Sequence, residues 1–378
     1  MLLGLACAAS EGYGAPGAGR AFARAVALCR ELGENAALFP ILFGQWAFYM
    51  VRSEPGAMRD LADQMLALVE RAGDPGLRVE AHLAMGITHF WAGELEEARP
   101  HLEWVLSLYD RERDRAHAYV YGQDPAAYAH AFLCYLLWSI GRLGEGLARA
   151  REGLAFAEEL AHPFTFSGVC TFFAFHHAFR GELDDCAAVA ERAQSVAVEQ
   201  HFAMWMATPR ISAAYAAAAR DPSATKIDAI GEGVAAFRAT GALIGQNYFL
   251  CFLTEACWWG GQTADGLGAV DQALDHAEKH GERFWESEIH RLKGELLLLD
   301  GADASTVEAR FHRALEISRA QQAKSLELRA AMSLARLWRD QGRRSEARDL
   351  LAPVYAWFTE GFDTKDLRDA MALLEELG

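Results

Sequence analysis

The chain has 378 residues, of which 52% are hydrophobic, and its formal net charge is −16. This negative charge argues against nucleic-acid binding, which needs many Lys and Arg side chains on phosphates. No uncharged apolar run approaches the roughly 18 residues that could cross a bilayer. We therefore expect a cytoplasmic protein, not bound to membranes, with enough apolar residues for an extended core.

The first ten residues are mostly apolar but lack the basic start of a signal peptide. We expect them to form the first helix of a repeat, with residues 21–32 as its second helix. A repeat that begins without a capping helix leaves apolar faces exposed. This end of the chain is therefore a predicted contact with a second copy, in a homodimer, or with another domain.

Glycines recur at a nearly constant interval along the rest of the chain. Their spacings are 48, 40, 80, 40 and 41 residues, at Gly93, Gly141, Gly181, Gly261, Gly301 and Gly342. The interval of 80 is two periods, and Asp221 occupies the missing position. A fixed period near 40 residues indicates a repeat architecture.

Small residues stand seven positions before these glycines and five positions after most of them, as at Cys134 and Ala98. On one helix face they let a neighbouring helix approach closely, toward the short end of roughly 8–10 Å. A second turn follows about 20 residues after the glycines, for example at Gly73, Ala161 and Gly241. Each unit is therefore predicted to be helix A, a glycine turn and helix B.

We predict an all-α, right-handed solenoid of helix pairs over residues 1–378. The repeats are predicted at 1–33, 36–73, 77–110, 126–161, 164–201, 204–241, 244–281, 284–322 and 325–361. A capping helix is predicted at 364–377.

The spacing within each unit resembles the tetratricopeptide repeat, as in WAGELEEA at 91–98 and FHRAL at 311–315. The period differs, since that repeat has 34 residues. HEAT repeats have periods near 40–47 but do not require these glycine and alanine positions. The pattern therefore favours tetratricopeptide-like helix pairs with longer helices.

A second resemblance covers nearly the whole chain. Its segments are YGQDP at 121–125, IHRLKGELL at 289–297, SLELRAAMSLARLW at 325–338 and VYAWFTEGFDT at 354–364. They resemble the C-terminal helical-repeat region of bacterial signalling proteins in which adenylate or guanylate cyclase domains precede an AAA/STAND-type ATPase. The resemblance implies a sensor or scaffold arm of such a protein.

One interval is longer than the others. The eight extra residues between Gly93 and Gly141 fall at 111–125. Insertions in repeat proteins often form loops on the binding face. We expect either a solvated connector or a loop in which Tyr119, Tyr121 and Gln123 fold over the groove.

The inner face of the solenoid follows from the same register. If helix A lines the concave side, residues six and three positions before each turn point inward. These positions are aromatic or apolar in the middle of the chain and charged toward the C-terminus, with Glu255, Glu295 and Arg336. The predicted groove for a peptide or partner helix is lined by Phe90, Tyr135, Trp138, Phe175, Tyr215, Trp258 and, from the insertion, Tyr121. Alternatively, these aromatic side chains pack between adjacent helices as core.

No catalytic signature stands out in the sequence. It contains neither a GxxxxGK[ST] phosphate loop nor an HExxH zinc motif. His276 and His280 share a helix face at a spacing that can hold a metal, but no third ligand is evident. The seven cysteines include no CxxC pair and are expected to be buried. We expect no catalytic residue, no cofactor and no metal.

These observations favour a non-catalytic scaffold that binds a protein or peptide, including an ATPase or cyclase domain in cis or in trans. The alternative is a sensing arm, in which a small molecule fills the groove and changes the shape of the superhelix. A closed pocket would favour the sensor, and an open groove would favour the scaffold.

Overall fold

The computed structural model describes residues 4, 14–32 and 35–378, without the side chains of residues 30, 32 and 35–37. Within these residues every regular element is a helix, and no strand occurs. None of the described helices is both long and apolar enough to cross a bilayer. The predicted first helix A, and most of the end predicted as a dimer contact, lie outside the described residues.

The described helices are numbered in chain order. They are α1 (Pro16–Leu32), α2 (Asn35–Val51), α3 (Pro55–Ala72), α4 (Pro75–Ala92), α5 (Leu95–Leu108), α6 (Arg111–Asp114), α7 (His117–Val120), α8 (Pro125–Ser139), α9 (Leu143–Leu160), α10 (Pro163–Arg180), α11 (Leu183–Glu199), α12 (Ala203–Arg220), α13 (Ala224–Ala239), α14 (Gln246–Trp259), α15 (Thr263–His280), α16 (Glu286–Leu299), α17 (Ala304–Ala320), α18 (Lys324–Asp340), α19 (Arg344–Ala356) and α20 (Lys365–Leu377).

Each helix A packs most extensively against the helix B that follows it, from α2/α3 and α4/α5 through α8/α9 to α18/α19. The helices A, such as α8 and α10, are buried over most of their surface, whereas the helices B keep one face exposed. Helix A therefore lies on the inside. The predicted all-α solenoid of tetratricopeptide-like pairs is confirmed.

The turn glycines have the backbone conformation that their spacing predicts. All six have φ between 67° and 85°, a left-handed conformation that closes a helix and favours glycine. Ala161 adopts the same region at φ 54°. Asp221 does not, since its φ is −154°, and Pro222 follows it directly where a helix cannot continue.

The predicted small positions are close contacts between helices. Cys134 has no exposed surface, and neither does Ala98. A Cβ added at Gly294 would lie 2.5 Å from the ring of Phe311 on the paired helix. Small residues at these positions therefore let helices A and B pack closely.

The insertion at 111–125 folds onto the solenoid instead of forming an open connector. It contains the short helices α6 and α7. Tyr119 is 71% exposed, but Tyr121 is 4% exposed and its ring lies 5.0 Å from that of Phe43. Asp124, at the end of the insertion, accepts hydrogen bonds from the Ala127 N–H and the Tyr109 hydroxyl. Tyr121 is thus part of the core beside α2.

The solenoid coils so tightly that its second half contacts its first half. The carbonyl groups at the ends of several first-half helices A accept hydrogen bonds from the second half. The Leu243 N–H donates to the Val51 carbonyl at 2.7 Å, and the Arg283 N–H donates to the Trp91 carbonyl at 2.9 Å. The Ser325 hydroxyl donates to the carbonyl of Trp138, 187 residues away along the chain. The first two of these bonds satisfy carbonyls that a helix end leaves without intrahelical partners.

Aromatic side chains fill the space between the two halves. The ring of Phe284 lies 4.1 Å from that of Phe90 and 6.3 Å from that of Tyr135. The ring of Trp285 lies 5.6 Å from that of Trp138 and 4.6 Å from that of Phe179. These distances are typical of packed aromatic pairs. The first half of the superhelix therefore has a filled interior.

Candidate functional site

A cavity of about 440 Å³ opens on the concave side of the second half. Five helices A, the first residue of α11 and the capping helix α20 border it. It is lined by Ala178, Gly181, Leu183, Tyr215, Ala219, Glu255, Trp258, Trp259, Arg291, Glu295, Arg329, Met332, Arg336, Lys365, Asp366 and Asp369. We call it the axial cavity. Its volume lies within the roughly 300–1,000 Å³ of ligand sites in proteins.

Aromatic side chains of α12 and α14 form one wall of the axial cavity. Tyr215 is 6% exposed, and its ring lies 5.4 Å from that of Trp259. Trp258 is partly buried beside it. The Tyr215 hydroxyl donates a hydrogen bond of 2.7 Å to Glu255. This wall offers ring faces to a ligand and keeps its one buried hydroxyl satisfied.

A buried ion-pair network on α16 also borders the axial cavity. Arg291 is 5% exposed and donates two hydrogen bonds, of 2.8 and 2.7 Å, to the two oxygens of Glu288. Its guanidinium also lies 3.4 Å from Glu295 and 3.7 Å from Glu255. The Ser333 hydroxyl donates to Glu295 at 2.5 Å. The bidentate geometry makes the pair with Glu288 the strongest member of the network.

Arg329 on α18 connects the network to two distant parts of the chain. It donates to Asp366 of α20 at 2.7 Å and to the Phe179 carbonyl, at the end of α10, at 2.7 Å. Its guanidinium lies 5.0 Å from the centre of the Trp138 ring. Arg329 therefore holds the first half, the second half and the capping helix together around the axial cavity.

Burial and neighbouring charges shift the pKa values of these groups in opposite directions. Burial opposes ionisation of Glu288, but the pairs with Arg291 and Arg329 outweigh it and hold its pKa below 4.5. For Glu255 burial prevails, and its pKa is raised. Burial would lower the pKa of Arg291, yet the surrounding carboxylates raise it. The pKa of Arg329 is raised for the same reason, so both guanidinium groups stay charged at neutral pH.

The structure separates the seven predicted groove residues into two groups. Phe90, Tyr135, Trp138 and Phe175 are 0–1% exposed, because the second half of the superhelix packs onto them. They therefore do not line an open groove, and Tyr121 is buried as well. Tyr215 and Trp258 line the axial cavity, and their role in binding stays a prediction.

The charged inward positions also line the axial cavity. Glu255, Glu295 and Arg336 all border it. Sequence reasoning missed Glu288 and Arg291, whose spacing of three residues on one helix was a visible signal. That spacing is equally common on solvated helix faces, so only their burial distinguishes them.

A second cavity lies between the two halves and is much smaller. Its volume is about 60 Å³, and its lining includes Trp91, Phe132 and Tyr248. This volume is far below that of common ligand sites. It is a packing gap among aromatic side chains.

The histidine pair singled out in the sequence is used in contacts between the two halves. The His276 and His280 rings stack at 4.5 Å. His276 lies 3.3 Å from Glu282, and His280 lies 3.1 Å from the Ser53 carbonyl. One ring nitrogen of each histidine therefore has a protein partner.

Another group, with His177, Glu182 and Asp185, brings three ligand atoms within 4.8 Å of one another. Arg180 already donates to Glu182 at 2.8 Å. A cation beside this carboxylate disfavours a metal ion there.

No protein-family model matches the chain. It is 23% identical to an uncharacterized protein of Rhizobium meliloti over 313 residues, which are 82% of this chain and 30% of that protein. A stretch of 93 residues is 31% identical to a putative HTH-type transcriptional regulator of Mycobacterium tuberculosis and covers 25% of this chain and 10% of the regulator. The chain thus spans at most 30% of the length of these relatives.

Two solved structures are similar over most of the chain. The crystal structure of Rap protein complexed with competence and sporulation factor has a TM-score of 0.62 at 12% identity and covers 95% of this chain and 96% of that chain. The crystal structure of aspartyl phosphate phosphatase F from Bacillus subtilis has a TM-score of 0.50 at 15% identity and covers 78% of this chain and 74% of that chain. At these identities the likeness is one of fold, and the chain is a tetratricopeptide-like helical-repeat protein.

Proposed function

We propose that the chain is a non-catalytic regulatory solenoid that binds a short segment of a partner protein in the axial cavity. The observation that carries this proposal is the change of the inner face along the chain. The interior is filled as far as α10, and it opens into about 440 Å³ where Glu255, Glu295 and Arg336 replace aromatic residues. The solved Rap protein, of similar fold, is likewise complexed with a factor.

The same proposal extends to the setting in which the chain works. The relative from Rhizobium meliloti is matched over 30% of its length, which is consistent with a chain that is one arm of a larger protein. We propose a cytoplasmic bacterial signalling protein, whose arm binds an ATPase or cyclase domain in cis or in trans. The apolar end before α1 is the proposed contact for a second copy.

One observation favours a small-molecule sensor as the second candidate. The capping helix α20 covers one side of the axial cavity, because Asp366 pairs with Arg329 and Lys365 packs against Gly181. A cavity partly covered in this way suits a small ligand as well as a peptide segment. In this case the ligand would change the contact between α20 and α10 and so the shape of the superhelix.

The experiment that tests the proposal blocks the axial cavity without disturbing the core. Ala219 lines the cavity from α12, so Ala219→Trp places an indole inside it. Ala236 is exposed on the paired helix α13, and Ala236→Trp is the matched control. Wild type and both variants would be used for pull-downs from bacterial lysate, with bound proteins and small molecules identified by mass spectrometry.

We expect a partner that wild type and Ala236→Trp retain and that Ala219→Trp loses, with circular dichroism spectra unchanged in all three. A small molecule lost in the same way would instead favour the sensor. If a folded Ala219→Trp variant retains every partner and ligand of the wild type, the axial cavity is not the binding site.

A further inference from the structure

The charged side chains around the axial cavity are paired with one another, with one exception. Arg291 pairs with Glu288, Arg329 pairs with Asp366, and Lys365 pairs with Asp369 at 2.6 Å. Arg336 also lines the cavity, from α18. In the part of the chain that the structure describes, no hydrogen-bond or ion-pair partner of the Arg336 guanidinium is found.

An arginine in this position has a specific chemical preference. Its planar guanidinium presents five N–H donors in a fork that matches the two oxygens of a carboxylate. Arg336 is partly buried, and its side chain borders the cavity. The cation left without a protein partner is therefore the natural point of attachment for an anionic group of the ligand.

The remaining lining limits what else the ligand carries. Four carboxylates, such as Glu255 and Glu295, and four cations border the same space, so the lining has no net positive charge to attract a polyanion. These oxygens can instead accept hydrogen bonds from amide N–H groups. Trp258 and Met332 offer apolar contact area. One carboxylate, amide donors and an apolar side chain together describe a short peptide.

We propose that Arg336 binds a carboxylate of a short peptide segment, whose neighbouring apolar side chain lies against Trp258. This inference rests on the proposed function and names the chemistry of the partner. The carboxylate comes either from the C-terminus of the segment or from an Asp or Glu side chain within it. Both present the same two oxygens to the guanidinium.

The test uses two libraries of N-acetylated tetrapeptides, one with free C-terminal carboxylates and one with C-terminal amides. Peptides retained by the purified chain after ultrafiltration would be sequenced by mass spectrometry. Enrichment in the free-carboxylate library alone identifies a C-terminal carboxylate. Enrichment of Asp or Glu members in the amide library identifies a side-chain carboxylate.

Arg336→Gln keeps a polar, unbranched side chain, although a shorter one, and removes the charge. Loss of a charge-assisted hydrogen bond is expected to weaken retention by about tenfold to a hundredfold. Arg344, an exposed arginine at the start of α19, provides the control variant Arg344→Gln, for which retention is expected to be unchanged. Arg336→Lys should recover part of the retention, since it restores the charge without the fork.

Retention by Arg336→Gln equal to that of wild type would overturn the inference. So would enrichment of peptides without a carboxylate, or no enrichment by wild type. The variant Ala219→Trp separates this failure from that of the proposed function. If Ala219→Trp loses peptides that Arg336→Gln keeps, the axial cavity binds peptides but not through Arg336. If Ala219→Trp keeps them, both proposals fail.

Discussion

The two halves of this superhelix use the same repeat for different purposes. Six positions before the turn, the first half and the middle repeat carry Tyr135, Phe175 and Tyr215, whereas the following repeats carry Glu255, Glu295 and Arg336. The first two aromatic residues are fully buried. The charged residues border a cavity of about 440 Å³. The change of residue type at one register position thus coincides with the change from a filled interior to a cavity.

The physical reason for this difference is desolvation. Aromatic rings gain free energy when the second half packs onto them. Carboxylates and guanidinium groups lose hydration when they are buried, and they tolerate burial only where they are paired. The network around Arg291 satisfies that requirement on one wall, and the cavity leaves the other charged groups access to water. Variants in either half can test this difference between the filled interior and the cavity.

The largest loss of stability is expected when an aromatic residue of the first half is replaced. Phe90 is fully buried against Phe284. Phe90→Ala should lower the free energy of unfolding by about 3–5 kcal/mol, because it leaves a cavity in a packed core. Trp258→Ala, in the axial cavity, should cost about 1 kcal/mol. Urea unfolding of both variants measures the difference, and equal losses would show that the two halves do not differ in packing.

The stability that the charged half contributes should depend on pH, whereas the contribution of the aromatic half should not. Glu288→Gln leaves Arg291 without its bidentate partner and should cost about 3 kcal/mol at pH 7. The pKa of Glu288 in the folded protein lies below 4.5. Its contribution is therefore complete above about pH 4.5 and is lost as the pH falls through the folded-state pKa.

Thermal unfolding between pH 7 and pH 3 measures this effect. The difference between wild type and Glu288→Gln should shrink toward acid pH, whereas that between wild type and Phe90→Ala should not. A constant difference for Glu288→Gln would mean that the ion pair does not carry the stability assigned to it.

A smaller loss of stability is expected when a glycine at the contact between the halves is replaced. Gly141 and Gly261 both have left-handed φ, at 85° and 67°. A Cβ at Gly141 would lie 2.5 Å from the Trp357 ring, whereas nothing lies within 4 Å of one at Gly261. Substitution by alanine should cost about 1–2 kcal/mol at Gly261 from the backbone alone. It should cost about 1 kcal/mol more at Gly141. Equal midpoints of unfolding for the two variants would count against a packed contact between the halves.

The smallest effect on stability is expected at the proposed ligand contact. Arg336 has no ion pair among the described residues, so Arg336→Gln should change the free energy of unfolding by less than about 0.5 kcal/mol. Differential scanning calorimetry would measure it. A loss above about 2 kcal/mol would show that Arg336 is a structural residue. This result would contradict its proposed role in binding.

Local features of this fold could be predicted from the sequence. The glycine period locates left-handed turns such as Gly181, because a backbone conformation that few other residues adopt leaves a signal at single positions. The buried small residue Cys134 and the insertion at 111–125 follow from the same period. These features depend on neighbours within one or two helices.

The pitch of the superhelix could not be predicted in this way. It depends on contacts such as that between Ser325 and Trp138, which are 187 residues apart along the chain. Without those contacts, Trp138 could belong to an open groove or to the core. The pairing of Glu288 with Arg291 has the same limit, since an exposed helix face would show the same spacing. The axial cavity therefore became visible only in the folded chain.

The most direct test of the account is hydroxyl-radical footprinting, with the oxidation rate of each aromatic side chain measured by mass spectrometry. We predict that Trp258 and Trp259, at the axial cavity, are oxidised in the free protein and that Trp138 and Phe175 are protected. A bound partner should then protect Trp258. Oxidation of Trp138 and Phe175 at the rate of Trp258 would mean that the interior is an open groove along its whole length, and the division into a filled half and a binding half would be wrong.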